Sequence, residues 1–163
     1  MKKLITTAFL MTLVSASYGQ ELTYLNCSVN QDSPPLIIVL DEGSKSWNEF
    51  ELVKDDNLEG YWTVDAQSKG YAIINGDNLD KQITAISSTS YTLLDNSLLQ
   101  VGEFYYNLDR LNGNYTFGSG FSMESDTIAI CSPSDKTSIE TLLQQQTDRR
   151  DEIIRANEAK RLF

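Results

Sequence analysis

Two cysteines, Cys27 and Cys131, bracket almost every strand-like segment of this chain. In an oxidising compartment an isolated pair closes as a disulfide, and no Cys-x-x-Cys motif points to redox work. Such a bridge ties the first strand to the last. Closing a loop of about 100 residues stabilises a fold by roughly 4–5 kcal/mol in the chain-entropy model. That is a large share of a small domain's total stability. The expected fold is therefore one whose two chain ends meet.

The oxidising compartment is itself inferred from the start of the chain. Met1-Lys2-Lys3 precedes an apolar run from Leu4 to Val14 that gives way to small residues. This is the pattern of a signal peptide, and the apolar run is too short to span a bilayer. Ser17 and Gly19 suit the −3 and −1 positions, so residues 1–19 are expected to be removed; Val14 and Ala16 offer a second cleavage point before Ser17. No cysteine lies there to carry a lipid. The expected location is the periplasm or the medium, with no stable membrane anchor after cleavage.

Between the cysteines, short segments alternate with turn formers. Leu22–Val29, the continuous apolar run Leu36–Leu40, Trp47–Val53, Tyr61–Val64, Gly70–Ile74, Gln82–Ser87, Tyr91–Leu94, Leu98–Leu108, Asn114–Phe117 and Thr127–Cys131 all read as strands. Asn112-Gly113 suits a type I′ turn, which predicts a hairpin. The pattern predicts a mainly β fold: a small antiparallel barrel or sandwich closed by one disulfide, spanning residues 20–132. Pro133 is expected to end it. Thr137-Ser-Ile-Glu140 matches a capping box and opens a helix from about Ser138 to about Lys160, inside a C-terminal segment 133–163. The apolar stripe of that helix is thin and its middle turns, Gln144–Glu152, are polar. One turn is expected to pack on the β domain, leaving a second patch for another surface or for self-association.

The net charge is −10, or −12 once Lys2 and Lys3 are removed. The segment 135–163 holds six acids and six bases, whereas Gln20–Ser134 holds 17 acids against five bases, so the β domain carries the whole excess. Such a surface repels nucleic acid and suits a basic protein partner. The chain has no histidine, which removes Ser-His-Asp and Cys-His mechanisms and His-ligated metals. No Gly-rich phosphate loop is present. Only a carboxylate hydrolase would remain, and no pair of acids stands out, so a non-enzymatic protein without a cofactor is expected. Asp77-Asn78-x-Asp80 and Asp55-Asp56-Asn57-x-Glu59 cluster oxygen ligands that a Ca²⁺ ion would need, although such residues are also ordinary turn formers.

The stretch Tyr105–Tyr115, with Leu108-Asp-Arg110-Leu-Asn-Gly113 inside it and Cys131 beyond, resembles a pattern in small exported bacterial β proteins, a Leu-x-Arg-x-x-Gly turn before a short strand and a C-terminal cysteine. The resemblance covers about a quarter of the chain and implies a small β fold without a stated activity. Periplasmic C-type lysozyme inhibitors are similar only in size, compartment and acidity, and their Ser-Gly-Ala-Arg-Tyr-like loop is absent. Three functions compete at this point. The first is a binding module whose acidic β surface meets a basic partner. The second is a lipocalin-like carrier of a small apolar ligand, suggested by the aromatic residues Trp47, Tyr61, Trp62, Tyr71, Phe104 and Tyr106. Trp47, Tyr61 and Trp62 are candidate ligand-binding residues, and Arg110, beside Asp109 at the hairpin mouth, is either an anion-binding rim residue or a local ion pair. The third is a structural or oligomerising role for the C-terminal helix.

Overall fold

A computed structural model of the chain describes residues 21–30, 33–54, 57–95, 104–119 and 126–161. The elements, in chain order, are β1 (Leu22–Ser28), β2 (Leu36–Asp41), β3 (Ser46–Glu51), α1 (Leu58–Tyr61), α2 (Val64–Ile74), β4 (Lys81–Ile86), β5 (Ser90–Leu94), β6 (Phe104–Asp109), β7 (Asn114–Ser119), β8 (Asp126–Ser134) and α3 (Lys136–Arg161). Each strand pairs antiparallel with the next, and β8 returns to β1, closing an eight-stranded barrel. Cys27 stands directly opposite Cys131 in the β1–β8 register, and the two are bonded. The disulfide thus staples the seam that closes the barrel. The candidate signal peptide and its cleavage site lie outside the described residues.

An eight-stranded barrel is just wide enough for side chains to fill. Leu25, Cys27, Ile38, Leu40, Trp47, Ile83, Tyr91, Leu93, Leu108, Tyr115, Ala129 and Cys131 point inward and form the first core. The second core lies outside the barrel wall, where α1, α2 and α3 cover β1–β3. It joins Ile37 and Val39 to Leu52, Leu58, Trp62, Ile73, Ile74, Ile139 and Leu143. The apolar run in β2 is continuous because both of its faces are buried: Ile38 and Leu40 face the barrel interior, while Ile37 and Val39 face the helices.

The helical cover corrects part of the expected strand pattern. Tyr61–Val64 and Gly70–Ile74 are not strands; they belong to α1, α2 and their junction. Thr63 caps α2 by accepting from the Ala66 amide, and Ala66, Gly70, Ile73 and Ile74 then recur at helical spacing toward the second core. A Cβ on Gly70 would meet Leu143 at 3.1 Å, so glycine lets α2 and α3 approach closely. Two further expectations shift. β8 runs through Pro133 to Ser134, because β7 stops pairing at Ile130 and the proline has no ladder partner to deprive on that side. The cap of α3 is Asp135, not Thr137: its carboxylate accepts from the Ser138 amide and hydroxyl, which also holds its pKa below the usual carboxylate range.

The polar middle of α3 is packed as well. Gln146 donates to the Val53 carbonyl at 2.6 Å, Trp62 Nε1 donates to Thr147 Oγ1 at 3.3 Å, and Arg150 donates to the Trp62 carbonyl at 3.1 Å. Ile153 joins the second core. Polar side chains dock this helix because the main-chain carbonyls left over at the end of β3 and at the α1–α2 junction need donors.

Candidate ligand-binding mouth

In a meander barrel every second connection falls at the same end. Here those are the turns after β2, β4 and β6, numbered 42–45, 87–89 and 110–113, together with the start of β1 and the exit of β8. A cavity of about 440 Å³ opens at this end, within the size range of small-molecule sites. Its floor is Leu25, Leu108 and Cys131, residues of the barrel core. Its rim carries Thr23, Glu42, Tyr91 and Arg110.

The β6–β7 hairpin forms one wall. A type I′ turn needs positive φ at both Asn112 and Gly113, but only Gly113 has it, at 75°, and the connection has four residues. Asp109 is the reason. Its Oδ1 accepts from the amides of Leu111 and Asn112, and its carbonyl accepts from Gly113, which builds a wider turn ending in a left-handed residue. Gly113 then packs on the barrel seam. Its carbonyl accepts from the Cys131 amide at 2.8 Å, and a Cβ there would lie 2.0 Å from the Cys131 carbonyl oxygen. Only glycine satisfies both the φ and the contact.

The rim charges form a small network. The Arg110 guanidinium lies over the Tyr91 ring, 4.6 Å from its centroid. It donates to the Ser87 carbonyl at 3.1 Å and stands 3.6 Å from Glu42 Oε1. The Tyr91 hydroxyl donates a hydrogen bond to the same Glu42 oxygen. Burial first, and the neighbouring Glu42 second, push the Tyr91 phenol up to about 12, so it is a neutral donor throughout the physiological range.

A second polar group sits inside the barrel near the opposite end. Lys81 bridges Glu49 at 3.1 Å and Asp95 at 2.8 Å, and lies 4.6 Å from the centroid of the Trp47 ring. Tyr115 donates to the other Glu49 oxygen at 3.0 Å, and Tyr106 stacks on Tyr115. Burial alone lowers the Lys81 pKa, but Glu49 and Asp95 together outweigh it, and the net direction is up. Burial, then Glu49, drives the Tyr115 phenol far above its ordinary value. Lysine is therefore a fixed cation here, not a nucleophile.

The four candidate ligand residues do not converge. Trp47 is buried in the barrel core, where its indole N–H reaches the Leu94 carbonyl. Trp62 is buried in the second core beneath α3, and Tyr61 is 71% exposed on α1. Only Arg110 lines the mouth. At the proposed Ca²⁺ site the Asn48 amide donates to Asp80 Oδ1 and to the Asn78 carbonyl, so these groups already tie the α2–β4 loop to β3. Among the described residues no three acidic, cysteine or histidine side chains come together as a metal site. Asp55 and Asp56, of the second Ca²⁺ candidate, lie outside the described residues.

The acidic excess is unevenly placed. Asp41 and Asp95 are buried, and Glu49 points inward with Trp47. The outward cross-strand row Thr92, Asn107, Thr116 and Thr127 is uncharged. Exposed acids are divided between the barrel, at Glu21, Glu42, Glu51 and Asp126, and the segment between β3 and β4, at Glu59, Asp65, Asp77 and Asp80. A more open groove of about 520 Å³ runs between Pro34, Pro35 and Lys54 on one side and Leu142 and Arg149 of α3 on the other. No helix among the described residues is long and apolar enough to cross a membrane. No protein-family model matches the chain, and neither a curated protein nor a solved structure is significantly similar to it.

Proposed function

We propose that this protein is a non-enzymatic, exported binding barrel that takes a small, largely apolar molecule into the mouth at the β2–β3, β4–β5 and β6–β7 turns. One observation carries the reading: a cavity of about 440 Å³ whose floor is barrel core and whose rim is polar. An apolar floor supplies affinity by area, and a few polar groups at the rim orient the guest. Native mass spectrometry of protein purified from its own host should show a bound small molecule. N-phenyl-1-naphthylamine, an uncharged dye that brightens in apolar sites, should bind the emptied protein and lose affinity in Thr23→Trp, which narrows the mouth. A clean apo mass together with no dye binding would sink the reading.

A second reading concerns a basic protein partner. Tyr61 and Val64 are 71% and 67% exposed on the α1–α2 corner, and the acids Glu59 and Asp65 flank them. An exposed apolar pair ringed by acids suits a basic, amphipathic partner. Capture of a partner that high salt releases and Tyr61→Ser abolishes would support this reading. Capture unaffected by either change would count against it.

A further inference from the structure

The polar groups at the mouth are few enough to specify the head of its guest. Asp109 Oδ1 is occupied by the turn amides, and Glu42 Oε1 takes both Tyr91 and Arg110. Among the described residues Glu42 Oε2 accepts no hydrogen bond, and Arg110 uses only part of its five-donor fork. Beside Arg110 the rim therefore offers an open acceptor, Glu42 Oε2, next to unused donors. The side chains of Glu42 and Arg110 are both partly exposed, at 43% and 36%, so a guest can reach them. Their charges cancel, and the surrounding domain is strongly acidic.

We infer that the mouth selects an amphiphile whose head group carries no net charge and both donates and accepts, such as a primary amide; the inference rests on the mouth being a ligand site. An amide N–H fits Glu42 Oε2 while its carbonyl meets the Arg110 fork. A carboxylate can meet Arg110 only by standing against Glu42, within the field of an acidic domain. An ammonium meets Glu42 only by standing against Arg110. The apolar tail rests on Leu25, Leu108 and Cys131 in every case, so a matched tail isolates the head.

The test is displacement of N-phenyl-1-naphthylamine by octanamide, octanoate and octylamine, in the native protein and in Glu42→Gln. Octanamide should displace the dye at least about fivefold more effectively than either charged analogue, the order expected for one unpaired polar contact. Glu42→Gln keeps the shape and an acceptor for Tyr91 but frees Arg110 of its counter-charge. In that variant octanoate should gain about tenfold on octanamide. Octanoate winning in the native protein, or an unchanged ratio in the variant, overturns the inference. If the dye binds and none of the three displaces it, the head-group assignment falls alone. If the dye does not bind at all, the mouth falls with it.

Discussion

The barrel holds two charged clusters built from the same kinds of residue, and they behave differently. At the inner cluster, Lys81 stands between Glu49 and Asp95, all three largely buried, with Tyr115 filling a remaining lone pair. At the mouth, Arg110 faces a single carboxylate at 3.6 Å, both side chains partly exposed, beside a cavity. A buried pair that loses a partner leaves an uncompensated charge, whereas an exposed pair is screened and worth little. The inner cluster therefore holds the structure, whereas the rim cluster contributes little to it and lines the proposed mouth.

The sharpest way to break this comparison is Lys81→Ala, which leaves two inward carboxylates facing each other. Urea denaturation should show a loss of about 3–5 kcal/mol. Replacing Glu49, Lys81 and Asp95 together by Gln, Met and Asn should cost less than that single change. Gly113→Ala should cost about 2–4 kcal/mol, from the left-handed φ and the collision with the Cys131 carbonyl; a near-neutral value would mean that the hairpin moves freely off the seam. Arg110→Ala should change stability by no more than about 1 kcal/mol while altering which ligands bind.

The smallest effect near neutrality is in pH. The folded-state pKa values of Lys81 and Tyr91 are both raised, that of Tyr91 to about 12. A raised group contributes stability that is fully present below its unfolded pKa and is lost as pH rises through the folded value. Both contributions should hold at pH 9, begin to fade from about pH 10, the unfolded range of both groups, and fade further toward pH 12. The loss carried by Tyr91 should vanish in Tyr91→Phe. A stability curve in which Tyr91→Phe left the alkaline slope unchanged would detach that slope from the rim.

Much of the barrel was legible because strands announce themselves locally. The β6–β7 hairpin, the buried run in β2, the seam disulfide and the long C-terminal helix all follow from turn formers, apolar runs, two cysteines and helix formers. The helices α1 and α2 were not recognised, because Tyr61–Val64 and Gly70–Ile74 are short apolar runs rich in aromatic and β-branched residues, the pattern of a strand. The signal was the longer spacing from Ala66 through Gly70 to Ile73 and Ile74 behind the Thr63 cap. The type I′ expectation failed because Asp109 recruits the turn amides.

Of the candidate site, the sequence marks Arg110 but not Glu42 or Tyr91. Glu42 and Arg110 lie far apart in the chain and meet only because the turns after β2 and β6 share one end of a meander. Once the barrel is assumed, that convergence can be read from connection order. Trp47, Tyr61 and Trp62 could not be sorted in the same way. An aromatic residue carries no mark of whether it will face a barrel interior, a helical layer or water until the register is known.

The decisive measurement is a map of backbone amide shifts as N-phenyl-1-naphthylamine is titrated into isotope-labelled protein. The mouth predicts shifts concentrated at Thr23, Leu25, Tyr91, Leu108, Gly113 and Cys131, with Lys81 and the α1–α2 corner unmoved. Shifts confined to Tyr61 and Val64, or to the groove beside α3, would place binding elsewhere and contradict the division between an open rim and a closed inner cluster.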